Sequence, residues 1–148
     1  MLTQAQRPAS DLTDADYRGL AQFRYLLRRF LRFSERAADA TGLEPRQYQL
    51  LLVLRGLAPL AGASVSDIAE WLQVRHHSAV GLVDRTEARM LVARRADPDD
   101  GRRVLVTLTP AGRSALAALA RLHRDELGRL APMLLQALQQ IPRGDEDS

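Results

Sequence analysis

Three residue types are missing from this 148-residue chain, cysteine, lysine and asparagine. The absence of cysteine excludes disulfide bonds, thiolate nucleophiles, cysteine-ligated zinc and cysteine redox sensing. All 21 basic side chains are therefore arginine, and the formal net charge is +3. Arginine binds phosphate and guanine through two parallel hydrogen bonds, which lysine does not do. Because a composition rich in arginine is also typical of a GC-rich genome, the basic charge alone is only weak support for nucleic-acid binding.

Long apolar runs and catalytic signatures are missing as well. No apolar run reaches the roughly 18 residues of a bilayer-spanning helix, and residues 1–12 are too polar for a secretory signal. We therefore expect a cytoplasmic protein with no membrane partner. The sequence contains no glycine-rich phosphate loop and no nucleophile motif, so we predict neither an enzyme nor a cofactor. Hydrophobic residues make up 46% of the chain, which suffices for the core of one domain.

A long helix is the first element that the sequence predicts. Residues 1–12 lack periodicity and are expected to be a flexible arm, whereas Thr13 and Asp16 fit a capping box that opens a helix. Apolar and small residues then recur at spacings of three and four, and further apolar residues lie off this seam. Such a helix has two neighbours, of which one can be its own core and the other a partner subunit. The seam is Leu20, Phe23, Leu27, Phe30, Ser34 and Ala37, and Tyr17, Leu26, Leu31 and Phe33 lie off it.

A second helix is predicted at Pro45–Leu57. Gly42 is a helix stop signal, and Pro45 suits the first turn of the helix that follows. Residues 58–63 contain proline and glycine and are predicted to be a loop.

Two short helices come next. Ser64 and Asp67 form a capping-box pattern, and apolar residues at i, i+3, i+4 and i+7 follow it. A three-residue turn at 73–75 leads into a further helix at His76–Ala88. Two short helices joined by so tight a turn are typical of a helix-turn-helix. The predicted inward stripe of the second helix is Ala79, Leu82, Val83 and Thr86.

A β-hairpin is predicted directly after this motif. Leu91–Arg95 is its first strand and residues 103–108 form its second, with a strong turn signal at Asp97–Gly101 between them. A hairpin in this position is a wing. Thr109 and Pro110 cap and open a long helix to about residue 129. We expect Pro132 to open a last helix, followed by a disordered tail at 143–148.

This order of elements resembles the MarR family of bacterial transcriptional regulators, from about Tyr17 to Ile141. The implied fold is mainly α, a winged helix-turn-helix with a two-stranded wing and dimerisation helices at both ends. In this interpretation residues 13–142 form one domain, with dimerisation helices at 13–57 and 109–142 and the winged helix at 64–108. The family implies a homodimer that binds a palindromic operator and often releases it when a small ligand binds. The matching stretches are 42–48, Asp67-Ile68-Ala69-Glu70, Val83-Asp84-Arg85, 97–102 and 104–112.

Four positions depart from the family's pattern. Met90 stands where a glycine is usual between the second helix and the wing. If this residue needs a left-handed backbone, methionine costs about 1 kcal/mol there; alternatively, the helix continues past it. Gln73 replaces a usual glycine, Arg75 a hydroxyl cap and Thr86 a leucine.

The predicted DNA-binding surface has two parts, the outward face of the second helix and the wing. On the helix, His77, Ser78 and Arg85 are the predicted major-groove contacts, and Gly81 would let the groove floor approach. At the wing tip, Arg102 is predicted to enter a minor groove, with Asp100 holding it. The alternative for both parts is a solvated, charged surface. The remaining predicted DNA-binding residues are Arg75, His76, Arg94, Arg95 and Arg103.

A small-molecule effector is a further expectation from the resemblance. The predicted ligand residues are Phe23, Arg24, Leu27, Tyr48 and His123, in a crevice between the dimerisation helices and the DNA-binding part. A metal is not expected, because His123 continues an apolar stripe and adjacent histidines on a helix point apart. The alternative function is a winged-helix protein-interaction module without DNA binding.

Overall fold

The structure, a computed structural model, describes residues 12–141. It is mainly helical with one two-stranded antiparallel sheet, which confirms the predicted fold class. The expectations for residues 1–11 of the arm and for the tail at 143–148 lie outside the described residues. In chain order the elements are α1 Asp14–Ala40, α2 Pro45–Leu57, α3 Val65–Leu72, α4 His76–Ala88, β1 Val92–Ala96, β2 Val104–Leu108 and α5 Pro110–Gln139.

Local side-chain hydrogen bonds set the starts of the helices where the sequence predicts them. The backbone N–H of Thr13 donates to Asp16 Oδ2 at 2.7 Å, and the N–H of Asp16 donates to Thr13 Oγ1 at 3.2 Å. The N–H of Asp67 donates to Ser64 Oγ at 3.1 Å before α3. Pro45 lies in the first turn of α2. The side-chain oxygens of Thr13, Asp16 and Ser64 accept from N–H groups that have no partner within the helix, so both capping boxes are confirmed.

The described chain divides into two compact units. One comprises residues 12–33 and 125–141, and its buried core is Leu26, Leu130 and Ala137. The other unit, Ser34–Arg124, contains α2, α3, α4 and the sheet, which pack on one another. Its largest buried apolar side chains are Leu50, Leu51, Leu54, Ile68, Val83, Val92, Val106 and Leu119.

The wing is joined to the loop before α3. In the antiparallel pair Val92 lies opposite Leu108, and Ala96 lies opposite Val104. Ala63 adds a bridge, since its N–H donates to the carbonyl of Val106 at 3.0 Å and its carbonyl accepts from Val106 N–H at 2.7 Å. The loop predicted at 58–63 therefore ends in a strand-like contact, which the proline and glycine signals did not reveal. This contact ties the base of the wing to the start of α3.

The prediction of two C-terminal helices is wrong, because α5 continues through Pro132 as one helix. Proline lacks the N–H that would donate to the carbonyl of Gly128, and its ring crowds that carbonyl, at a cost of about 3 kcal/mol. Leu130 and Ala137, on either side of Pro132, are each only 1% exposed and belong to the same core. Their burial in one continuous helix offsets the local cost.

The buried face of α1 contains Phe23, Phe30, Ser34 and Ala37 of the predicted seam but not Leu20 and Leu27. Leu26 is 5% exposed, whereas Leu20 and Leu27 of the seam are 44% and 40% exposed. The buried face includes Gly19, where an added Cβ would lie only 3.1 Å from the carbonyl oxygen of Ala137. This close approach to α5 selects the face that contains Leu26. Within residues 12–141, no helix is long and apolar enough to cross a membrane.

Candidate nucleic-acid interface

Helix α4 has one buried and one exposed face, as predicted. The predicted inward stripe of Ala79, Leu82, Val83 and Thr86 is buried. Thr86 replaces an apolar residue without leaving its hydroxyl unsatisfied, since Oγ1 donates to the carbonyl of Leu82 at 2.7 Å. On the other side His76, His77 and Arg85 are exposed and Gly81 is half-buried. Their contacts with DNA remain predictions.

The start of α4 carries the other predicted polar contacts. Arg75 is the N-cap residue, and its side chain makes no capping hydrogen bond, so the departure from a hydroxyl cap leaves a cation there. Ser78 is half-buried and lines a cleft of about 300 Å³ that also includes Arg46 and Gln49. Arg75, His76 and His77 have no hydrogen-bond or ion-pair partner for their side chains within residues 12–141.

Two residues with a left-handed backbone lie on either side of α4. Gln73 has φ 52° and Met90 has φ 58°, the two positions where the family's glycines were expected. The side chain of Gln73 donates to the carbonyl of Glu70 at 2.7 Å, which helps hold the turn. The N–H of Met90 donates to the carbonyl of Glu87 at 2.8 Å, and α4 ends at Ala88. The left-handed interpretation of Met90 is confirmed, and the alternative, a helix that continues past it, is wrong.

Arg94 joins the wing to α4. Its guanidinium donates to Asp84 Oδ1 at 2.6 Å and to Glu87 Oε1 at 2.8 Å, and its backbone N–H donates to Glu87 Oε2 at 2.9 Å. Burial alone would lower the pKa of Arg94, but hydrogen bonds and charges from both carboxylates raise it overall. Arg94 was predicted as a phosphate contact. Here it is a clamp between β1 and α4.

Two further arginines of the wing also have partners in the protein. Arg95 donates to the carbonyl of Ala61 at 2.9 Å, and Arg103 forms an ion pair with Asp67 Oδ2 at 3.1 Å. Both contacts join the strands of the wing to the segment around the start of α3. The predicted phosphate contacts of these two arginines would have to share or replace these bonds.

Arg102 lies at the wing tip and has a backbone hydrogen bond there. Asp97 Oδ1 accepts from the N–H of Asp99 at 2.9 Å, and Asp100 Oδ1 accepts from the N–H of Arg102 at 3.1 Å. Asp100 therefore holds the backbone of Arg102 and not its guanidinium. Among the described residues, no hydrogen-bond or ion-pair partner exists for that guanidinium, so its charge is available to a nucleic acid.

Sequence reasoning missed the residues that brace α4 from α2. Arg85 Nη2 lies 3.4 Å from Glu44 Oε2, and Arg89 Nη1 donates to Gln47 Oε1 at 2.7 Å. Glu44 and Gln47 form the capping box at the start of α2, a local pattern that a sequence can show. Nothing in the sequence indicates that two arginines some 40 positions later end at this cap.

Comparisons with known proteins agree with this architecture. A sequence model of the MarR family matches residues 41–103. A putative transcriptional regulatory protein for the hcr operon of Thauera aromatica is 30% identical over 157 residues, covering 96% of this chain and 93% of that protein. The chain belongs to the MarR family. This is a family of transcriptional regulators and not of enzymes, and the chain is a MarR-type regulator with a DNA-binding winged helix.

Two other relatives of this MarR-family chain bear on its function. The transcriptional activatory protein BadR of Rhodopseudomonas palustris is 37% identical over 86 residues, which is 58% of this chain but only 49% of BadR. The crystal structure of CouR from Rhodococcus jostii RHA1, bound to p-coumaroyl-CoA, has a TM-score of 0.63 and 27% identity, covering 80% of this chain and 88% of CouR.

The ligand residues expected of a MarR protein fall in both units. Phe23, Arg24 and Leu27 belong to the unit of 12–33 and 125–141, and Tyr48 and His123 belong to the unit Ser34–Arg124. Phe23 packs against the buried core of its unit, Leu27 is 40% exposed and Arg24 is exposed. That these five residues bind one ligand remains a prediction.

Tyr48 and His123 form a stacked pair in the core. Their ring centroids are 4.3 Å apart at an interplanar angle of 16°, and both residues are 4% exposed. His123 Nδ1 lies 2.7 Å from the carbonyl oxygen of Leu119, so this nitrogen carries the proton, and Nε2 lies 2.8 Å from Ser34 Oγ. Burial raises the pKa of Tyr48. Both ring nitrogens are thus engaged, as in a packed histidine, and no cluster of metal-binding side chains occurs within 12–141.

Proposed function

We propose that this chain is a sequence-specific repressor that binds a palindromic operator as a homodimer. In this proposal α4 lies in the major groove, and the wing reaches the adjacent minor groove with Arg102. The observation that carries the proposal is the exposed face of α4 beside a wing that Arg94 holds to the same helix. Because ion pairs of 2.6–2.8 Å join the wing to α4, the two elements can contact neighbouring grooves of DNA in a fixed relative orientation.

The distribution of partners among the cations supports a division of roles. Arg75 and Arg102 have no side-chain partner among residues 12–141, and we assign to them the sequence-independent contacts with phosphate or the minor groove. Arg94, Arg95 and Arg103 are held by the protein and position the wing. The imidazoles of His76 and His77 lie at the start of α4, where side chains of a recognition helix contact base edges.

Exposed apolar side chains support the homodimer. The unit of 12–33 and 125–141 leaves apolar residues on both of its helices 40–58% exposed, and a large exposed apolar surface is typical of a protein–protein interface. We propose that a second copy covers them in a two-fold interface of more than about 2,000 Å². Two copies of α4 related by this axis would contact two inverted half-sites, so the operator would be a palindrome. The residues concerned are Tyr17, Leu20, Leu27 and Leu31 of α1 and Leu127, Met133, Leu135 and Leu138 of α5.

Selection of bound sequences from random duplex DNA tests the proposal. The expected result is a short palindrome with half-sites about one helical turn apart. Enrichment of no sequence, with no DNA retained at low salt, would favour the protein-interaction module. Sedimentation of the free protein provides a second test, since a stable monomer at micromolar concentration would refute the dimer.

The direction of regulation and the effector need separate tests. BadR, which is similar over part of this chain, is named an activatory protein, so a promoter–reporter fusion with the selected operator must distinguish repression from activation. For the effector we propose an aromatic acid or its anionic conjugate, because CouR was crystallised with p-coumaroyl-CoA. Such a ligand should raise the thermal unfolding midpoint and weaken operator binding. No shift up to millimolar concentration in a screen of aromatic acids would refute this ligand class.

A further inference from the structure

We propose that Glu44 is a positioning residue for DNA recognition, which holds Arg85 over Gly81 on the outward face of α4. In this role Glu44 increases discrimination between sequences without increasing overall affinity. The inference rests on the proposed function, because it assumes that this face of α4 meets the bases.

The geometry places the Arg85 guanidinium along its own helix. Nη2 lies 3.4 Å from Glu44 Oε2, and a Cβ added at Gly81 would lie 3.6 Å from Nη1. The guanidinium therefore covers the glycine one turn earlier, on the side opposite the buried stripe. Both partners of the ion pair are half-exposed. Because a guanidinium has five donors in a fixed fork, Glu44 can hold one edge while other donors face a base.

Glu44 is itself held in place from α4. Its backbone N–H donates to Gln47 Oε1 at 3.2 Å, and the same oxygen accepts from Arg89 Nη1 at 2.7 Å. Gln47 is only 1% exposed. Arg85 on α4 and Arg89, the residue directly after this helix, thus both end at the cap of α2. The backbone that carries the Glu44 side chain is therefore held in place, and its half-exposed carboxylate reaches Arg85 from this fixed point.

This arrangement predicts opposite effects on two measurable quantities. The Glu44 carboxylate lies on the surface that would approach DNA, so its charge repels phosphates and lowers affinity for any sequence. Its hold on Arg85 restricts the guanidinium to one orientation, which favours the cognate base over others. Loss of the charge should therefore leave non-specific binding unchanged or tighter, while discrimination falls. Simple repulsion would change both kinds of binding by the same factor.

Glu44→Gln is the decisive variant, because glutamine keeps an oxygen for the helix cap and loses the charge. Glu70→Gln is the matched control. Glu70 lies on α3, is exposed, contacts Gln73 and has no arginine partner among the described residues. Dissociation constants for the selected operator and for a scrambled duplex would be measured for both variants, for Arg85→Ala and for the Glu44→Gln/Arg85→Ala pair. Thermal unfolding of each variant checks the fold.

We expect the ratio of scrambled to operator dissociation constants to fall about five- to tenfold in Glu44→Gln, at the lower end of the range of one base contact. The ratio should stay unchanged in Glu70→Gln, and Glu44→Gln should not change the ratio any further when Arg85 is alanine. An equal change on both duplexes, an unchanged ratio, or an undiminished effect without Arg85 would overturn the inference. If the wild-type chain itself does not discriminate between the duplexes, the proposed function fails, and this inference fails with it.

Discussion

Replacing Arg102 with alanine should flatten the salt dependence of operator binding. The Arg102 guanidinium has no partner among residues 12–141, so its entire charge is available to displace a counterion from DNA. Each neutralised phosphate contributes about 0.9 to the slope of log K against log salt concentration. Two wings in the proposed dimer then account for about 1.8 of the slope. Between about 50 and 200 mM salt, the wild-type protein should lose roughly tenfold more affinity than the variant.

Arg103→Ala is the control for this prediction. Arg103 neighbours Arg102 in the chain, but its guanidinium is already paired with Asp67 at 3.1 Å. Its loss should therefore change the slope by less than the loss of Arg102. Fluorescence anisotropy titrations at four salt concentrations would measure all three slopes on the selected operator. Superimposable slopes for wild type and Arg102→Ala, or a larger change in Arg103→Ala, would refute the reasoning.

Three further predictions test the stability of the fold. Met90→Gly should raise the free energy of unfolding by about 0.5–1 kcal/mol, because it relieves a left-handed φ of 58° at an exposed side chain while glycine's entropy cancels part of the gain. Ala88→Gly, at the last residue of α4, should lower it by up to about 1 kcal/mol, and urea unfolding at one protein concentration compares the two. Arg94→Ala should lower the free energy of unfolding by about 1 kcal/mol, because the ion pairs between the wing and α4 are lost. The same loss should weaken operator binding. An unchanged dissociation constant would show that DNA binding does not need these ion pairs. Because burial raises the pKa of Tyr48, the unfolded chain loses this proton first as pH rises, so stability should fall above about pH 10, and less so in Tyr48→Phe. Identical pH profiles of the two proteins would contradict this.

Local chemistry in the sequence was sufficient to predict most elements of the fold. Pro45 begins α2, the Ser64 cap begins α3, and the stripe from Ala79 to Thr86 faces inward, all as predicted. Each of these features depends on residues within one or two turns of each other, so short-range hydrogen bonds and helical periodicity decide them. The same holds for the order of helix, turn, helix and hairpin, on which the resemblance to the MarR family depends.

The partners of the charged side chains were decided only by the tertiary structure. Arg85 and Glu44 are 41 positions apart, and Arg103 and Asp67 are 36 apart. No local pattern distinguishes these arginines from Arg102, which has no partner among the described residues. The sequence shows which residues carry charge. Whether each charge is held by the protein or left for DNA depends on which helices and strands pack together.

The tertiary structure also decided which face of α1 is buried and whether α5 continues through Pro132. The apolar residues of α1 lie on more than one side of the helix, and the close approach of α5 at Gly19 places Leu26, and not Leu20 or Leu27, on the buried face. Pro132 favours a helix start by its own geometry, yet α5 continues through it because Leu130 and Ala137 are buried in one core. In both cases burial of apolar surface between segments far apart in the chain outweighs a local preference of a few kcal/mol at most.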